Sequence, residues 1–497
     1  MAKQVFLAID LGASSGRLLA GEFDGRTLRL DELHRFENGG VLAAGHLHWD
    51  VLRLWSEMSS GLRAAAGKFG RQVRSVGVDS WGVDFGLVGR HDTLLGNPYC
   101  YRDRRTDGMF ERALETVSRE QIFGQTGVQF MPFNTLYQLL AMRVQHSPLL
   151  DVAESFLMIP DLFHWLLTGA KVNEVTNATT TQFYNPTERR WASELLAALD
   201  LPTNILGELV PPGTKLGPLR DDVAADTGLS GVEVVLPGTH DTASAVMAVP
   251  AAGTMGGPPD WCYISSGTWS LMGVELPEPV INDRCRQLNF TNEGGIGHTT
   301  RLLKNITGLW LVQECRRIWA LAGQTYSWDE LSRLAEAAPS LVSVINPDDP
   351  AFTAPSNMPE AIRAYCRRTN QPVPEGPGAV VRCALDSLGL KYRYVLESLE
   401  ELTGRRLTTI HVVGGGVQNR LLCQLTADAC SRTVVAGPAE ATAIGNLMTQ
   451  AIAAGAVGSI AEARDVIRRS FPVETYQPRE AERWLSAYGR MVALCGA

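Results

Sequence analysis

Asp10 ends the apolar run Val5–Ile9, and a turn of small residues follows at once, Gly12-Ala13-Ser14-Ser15-Gly16, closed by Arg17. Glycines at both ends let the backbone double back and present its N–H groups as an anion cradle. A carboxylate beside such a cradle suits a hydrated Mg²⁺, held through water against phosphate groups. A second carboxylate, Asp241, stands far along the chain in Gly238-Thr239-His240-Asp241-Thr242-Ala243, delivered by the apolar segment Val232–Leu236 to small residues that begin a helix. Phosphoryl transfer asks for positioned phosphates, a metal and a group that accepts the acceptor hydroxyl's proton, and Asp241 suits that last task. The same position also suits a helix N-cap, and the sequence leaves both roles open. Asp79-Ser80-Trp81-Gly82-Val83-Asp84 offers a ring face and acceptors, the set a polyol needs. Gly414-Gly415-Gly416 follows the strand-like run Thr408–Val413 and lets the chain pass flat against a base or ribose. It is not a dinucleotide fingerprint, because Asn419 holds the place of the third glycine.

The elements that carry these residues read as alternating strands and helices. Arg17–Phe23 is strand-like, Asp24-Gly25 is a hairpin signal, and Thr27–Leu33 alternates as a third strand. The first turn therefore lies in a β-hairpin. That context excludes a P-loop, a Rossmann turn and a Ser14 nucleophile elbow, all of which need a helix at this point. Asp50 is predicted to cap an amphipathic helix through Leu52, Leu54, Trp55 and Leu62, followed by one strand over Val73–Val88. Further helices are expected near Leu136–Val144, over Val380–Leu402, through Leu422 and Leu425, and from Ala439, with a strand at Thr433–Val435. The Gly/Pro-rich segment 251–260 reads as a connection between an N-terminal domain, 1–250, and a C-terminal one, 261–497. Just beyond it, Trp261–Ser270 repeats strand, Gly/Ser/Thr turn, strand; with Ile264 set on Ile9, Gly267 falls on Gly12, Thr268 on Ala13, and Ser265 on the acid Asp10.

A chain of 497 residues exceeds one core, and 45% apolar with 20% charged residues describes a globular protein. A formal charge of −8 gives no electrostatic footprint for nucleic acid. No run reaches membrane-spanning length, and Asp10 interrupts the only apolar stretch near the N-terminus that resembles a signal peptide. Nine cysteines without C-x-x-C spacing indicate neither zinc nor a secreted framework, and Cys366 and Cys383, which flank a Pro/Gly-rich loop, are expected as free thiols. The expectation is a cytoplasmic protein, monomer or homodimer, with small-molecule partners.

The ordered motifs AIDLGASSGR, HWDVLRLW, GVDSWGVDFGLV, YRDRRT, FNTLYQL, TNATTTQ, GTHDTASAV, SSGTWSLMG, NEGG, LKNITGLWL and GGGVQN resemble the FGGY family of carbohydrate kinases over nearly the whole chain. The pairing of SWGVDFGLV with THDTASAV is similar to the branch acting on L-rhamnulose. The resemblance implies an α/β, two-domain, actin-like fold of duplicated ribonuclease H-like units, with ATP and sugar in the cleft between domains. It implies Asp241 as general base toward the C1 hydroxyl. Ala13, Ser14, Ser15, Gly16 and Arg17 match the ATP-phosphate turn, Thr268, Gln313 and Gly415 the other nucleotide contacts, and Gly82, His240, Thr242 and Asn305 the sugar contacts. Two other readings keep part of this pattern: a kinase for L-fuculose or D-xylulose, and an actin-like ATP-binding scaffold without catalysis. Many relatives carry Thr where this turn has Ala13. A cysteine pair that some relatives carry near the C-terminus is broken here by Thr426 beside Cys430, while Cys366 and Cys383 match the spacing of another family pair.

Overall fold

The computed structural model describes residues 3–251 and 260–496, so most of the expected 251–260 connection, residues 252–259, lies outside them. The chain forms two compact units. One comprises Met1–Gly257, Glu275–Leu302 and Ala441–Phe471; the other comprises Pro258–Val274, Leu303–Glu440 and Pro472–Ala497. The single boundary expected from composition thus becomes an exchange of segments. The cause is packing: in the first unit the helix Ala441–Ala453 sends Gln450 Nε2 to Leu7 O (2.9 Å) and Asn446 Nδ2 to Gly77 O (3.2 Å). Gly445 there lies so close to Ser244 that an added Cβ would meet its carbonyl oxygen.

The first unit is built on a six-stranded sheet in the order Lys215–Pro218, Glu233–Val235, Val73–Ser80, Gln4–Leu11, Ser15–Phe23, Leu28–Glu37. Gln4–Leu11 pairs antiparallel with Ser15–Phe23 and parallel with Val73–Ser80, a register that sets Asp10 beside both Arg17 and Asp79. Gln4–Leu11 is buried on both faces, which is why its sequence is an unbroken apolar run rather than an alternating one. The helix Val51–Phe69 starts at the predicted cap, with Asp50 Oδ1 accepting from Arg53 N (3.1 Å), and buries Val51, Leu54, Met58, Leu62, Ala65 and Phe69 at helical spacing, while Leu52, expected on that face, is exposed because it falls off the spacing.

The strand expected over residues 73–88 is two strands, Val73–Ser80 and Phe85–Gly89, and the second pairs with Ala153–Met158 in a separate sheet. Trp81–Asp84 makes the break, with Val83 at φ +68°. The run is apolar on both sides of the break, so periodicity could not reveal it.

The second unit holds, wholly or in part, the strands Thr300–Thr307, Trp269–Leu276, Trp261–Ser266, Thr409–Val413, Thr433–Ala436 and Glu474–Tyr476, neighbours in that order. Its middle strand pairs antiparallel with the next in sequence and parallel with Thr409–Val413, the same plan as in the first unit. The predicted long helix is present as Gly376–Thr403, ended by Gly404 in the left-handed region. Among the described residues no helix is long and apolar enough to cross a membrane.

Candidate active site

In the first unit the turn after Asp10 is a hairpin with no helix behind it, closed by Gly12 N donating to Ser15 O (2.9 Å). Asn38 braces it, Nδ2 to Gly12 O (2.8 Å) and N to Ser14 O (3.1 Å). Ser14 is exposed, Ala13 and Ser15 are half-buried, and Gly16 is buried with Phe36 where a Cβ would stand. Arg17 points to Asp10, its Nε (3.0 Å) and one terminal nitrogen (2.8 Å) both on Oδ2. Arg17 therefore neutralises the acid at the mouth of the turn.

Two more carboxyl groups share that field. Asp79 is fully buried; Asn446 Nδ2 donates to its Oδ2 (2.5 Å), and its Oδ1 has no partner among the described residues. Burial, the Asp10 charge and, more weakly, Asp241 push the Asp79 carboxyl well above the usual carboxylate range. Asp241 is half-buried and is also raised, by burial first and by Asp10, with His240 acting against both.

Asp241 opens the helix Asp241–Met247, yet the N-cap position belongs to His240 and no side chain caps the helix. The carboxylate is therefore not spent on capping; it accepts from Thr242 Oγ1 (3.0 Å). A buried frame aims this segment. Glu174 accepts from Thr239 N (2.9 Å) and Thr239 Oγ1 (2.7 Å), Thr176 Oγ1 bonds the same carboxylate and accepts from His240 N (3.2 Å), and Ser80 N donates to Thr239 O (2.9 Å). The two motifs Ser80-Trp81-Gly82 and Thr239-His240-Asp241 are thus laced together.

The expected polyol set divides differently. Trp81 is buried against Trp49, ring centroids 4.2 Å apart, so its face is covered. Asp84 is buried and accepts from Trp49 Nε1 (2.6 Å), Trp81 Nε1 (3.0 Å), Tyr101 N (3.1 Å) and Gln138 Nε2 (2.8 Å). Burial raises its carboxyl to about 6 despite these donors. Asp84 organises the fold here and offers nothing to a sugar. Gly82 is half-buried beside Thr180, whose Cγ2 lies 2.9 Å from where a Cβ would stand, so only glycine leaves this backbone its place.

The remaining expected residues lie in the second unit. Gly267 N donates to Trp269 O (2.8 Å), and the half-buried Thr268 gives its carbonyl to Trp310 N (3.0 Å) at the start of the helix Trp310–Leu321, which carries the half-buried Gln313. The half-buried Asn305 is on the strand Thr300–Thr307. Of the three glycines, Gly414 (φ +85°) and Gly416 press on Ser266, while Gly415 is exposed with open space where a side chain would be. The flat passage read from the sequence is met by protein at two of the three positions. The residues that sequence reasoning missed are Asp79 as a member of the carboxyl group around Asp10, and Glu293 and Arg301, which meet His240; of the last two, only Glu293 carried a signal, the NEGG motif.

Residues 5–248 match the N-terminal domain, and 262–454 the C-terminal domain, of the FGGY family of carbohydrate kinases. The chain is 46% identical over 486 residues to the rhamnulokinase of Bacteroides thetaiotaomicron, covering 98% of both chains. It is 44% identical over 476 residues to that of Halalkalibacterium halodurans, covering 96% of this chain and 99% of the relative. Among solved structures it is similar in fold to a ligand-bound xylulose kinase from Lactobacillus acidophilus, with TM-score 0.81, 16% identity and coverage of 99% and 98% of the two chains. A Plasmodium falciparum glycerol kinase with ADP gives TM-score 0.77 at 14% identity, again covering 99% and 98%.

Proposed function

The chain belongs to the FGGY family of carbohydrate kinases and is an ATP-dependent sugar kinase, and we propose that its acceptor is L-rhamnulose, phosphorylated on the C1 hydroxyl to give L-rhamnulose 1-phosphate and ADP. The observation that carries this reading is the 46% identity over nearly the full length to a relative that bears the name rhamnulokinase.

In this reading Asp241 accepts the proton of the C1 hydroxyl as its oxygen attacks the γ-phosphorus. Its carboxylate is free of the helix cap and its basicity is raised by burial and Asp10, which improves a proton acceptor. His240, Thr242, Gly82 and Asn305 contact the sugar. Residues 13–17 receive the ATP phosphates through backbone N–H groups, and Thr268, Gln313 and Gly415 contact the nucleotide, Gly415 because its open side lets a ligand approach the backbone. Among the described residues no group of three or more His, Cys, Asp or Glu is arranged to hold a metal. Asp10 beside the turn fits a cation that keeps its water and takes phosphate oxygens. Bound there, Mg²⁺ would supply charge neutralisation on the transferred phosphoryl group. A cytoplasmic location and a monomeric or homodimeric state belong to the same reading; Cys366 and Cys383 are buried thiols.

The test is turnover of purified protein with ATP and Mg²⁺ against a panel of ketoses. L-rhamnulose should be converted far faster than L-fuculose or D-xylulose; the reverse order would overturn the acceptor.

A further inference from the structure

The NEGG segment has no role in the reaction as described, yet it supplies the nearest neighbours of His240. Glu293, on the strand Thr291–Gly294 of the first unit, has its Oε2 3.1 Å from His240 Nδ1. On the other side of the ring, Nε2 lies 3.5 Å from Asp241 Oδ1. Arg301 completes the group: Nε donates to Gly294 O (2.8 Å), and NH2 donates to Glu293 Oε2 (3.1 Å) and lies 3.2 Å from His240 Nδ1. Arg301 is wholly buried, and its NH1 has no partner among the described residues.

A buried guanidinium with an unmet nitrogen is costly and is tolerated only against an opposite charge. Arg301 therefore keeps Glu293 ionised. Burial alone would raise the Glu293 carboxyl, but His240 and Arg301 hold it below the usual range. Two groups compete for His240 Nδ1, the Arg301 donor and the Glu293 acceptor. Arg301 NH2 carries two hydrogens and can serve both partners; of the two carboxylates that flank the ring, Glu293 at 3.1 Å stands closer than Asp241 at 3.5 Å, and the charge-assisted bond to the closer oxygen places the proton on Nδ1.

We propose that Glu293, braced by Arg301, is a positioning residue that keeps the His240 proton on Nδ1 and leaves Nε2 as an acceptor facing Asp241. The step it serves rests on Asp241 being the base. The sugar O–H bond breaks as an O–H bond forms on Asp241, and the sugar oxygen keeps the electron pair with which it attacks phosphorus. The Asp241 O–H then donates to the Nε2 lone pair; on transfer, that O–H bond breaks, an N–H bond forms, and the imidazolium stands between two carboxylates until it releases the proton to water. Charge is conserved throughout. Asp241 is thereby returned to its basic form for the next turnover.

The test joins a spectroscopic signature to kinetics on the full-length protein. ¹⁵N NMR of histidine-labelled wild type, with the His240 signal assigned by its loss in H240N, should show the Nδ1–H tautomer. E293Q should mix the tautomers and lower kcat by about 10–100-fold, the range for loss of a group that orients a functional histidine, with KM for ATP within about twofold; E293D should recover part of kcat. An Nε2–H tautomer in the wild type would overturn the proposal even if E293Q failed to fold, and so would a folded E293Q with wild-type kcat. Near-normal turnover of D241N would overturn the base reading instead, and it leaves the tautomer result untouched.

Discussion

Between the paired residues Leu11 and Gly16 the first hairpin turns through residues 12–15, whereas between Ser266 and Ser270 the second turns through 267–269. Each turn is opened by a glycine N–H that donates across it, from Gly12 to Ser15 O and from Gly267 to Trp269 O. Beyond that shared plan they diverge. The first carries a charge pair, Asp10 on Arg17, with the buried Asp79 beside it on the next strand. The second has Ser265 opposite Leu271 and is braced by backbone instead: Leu309 N and Trp310 N donate to Gly267 O and Thr268 O, and Gly308 presses on Ser270. One topology has been put to two physical uses, holding charge in the first unit and allowing close backbone approach in the second.

The largest expected effect tests whether chemistry lies only on the charged side. D241N should lower kcat by about 10²–10⁴-fold, as for a lost general base, while ATP affinity by calorimetry stays within a few-fold; near-wild-type turnover would remove Asp241 from the role. Next comes the direct contrast of the two turns. D10N should lower kcat by about 10–100-fold, the range for lost outer-shell support of a metal, and demand more Mg²⁺ in an activation titration, whereas S265A should stay within about twofold. Equal losses would mean that the acid does not distinguish the turns.

On the neutral side, G416A drives a Cβ into the Ser266 side chain, and should cost about 1–3 kcal/mol by overpacking, read as a lower Tm or denaturation midpoint. G415A meets open space, so its stability should be unchanged while KM for ATP rises a few-fold. If G415A left KM alone, the nucleotide would not pass there. The smallest effect is in pH. Proton acceptance needs ionised Asp241, whose pKa is raised, so kcat should fall as pH drops through a midpoint above the ordinary carboxylate range of about 4. An acid limb at or below that range would show that Asp241 does not limit turnover.

Much of this was legible locally. A strand, a glycine turn and a second strand lie in consecutive residues, so the hairpin at Asp10 and its echo at Ser265 could be read directly, and so could the Asp50 cap and the helix after His240. The break at Trp81–Asp84 could not, because Thr180 Oγ1 holds Val83 N (3.0 Å) and Gln138 and Trp49 claim Asp84 from remote segments. For the same reason a sugar-facing tryptophan and carboxylate became a packed ring and a structural acceptor. That Asp241 does not cap the helix became visible only when His240 took the cap position.

The sequence by itself determined the chemical inventory and the local turns: a carboxylate before a glycine hairpin, a His-Asp pair entering a helix, and a glycine run after a strand. Such features depend on backbone freedom and on side chains a few residues apart. Only the tertiary structure decided which carboxyls are pushed above their usual range, which side chains are consumed by the core, and what stands behind His240. Those outcomes depend on burial and on neighbours such as the Asn446 amide beside Asp79, or Glu293 and Arg301 beside His240. Electrostatic environment falls off with distance in space, and distance along the chain carries almost no information about it.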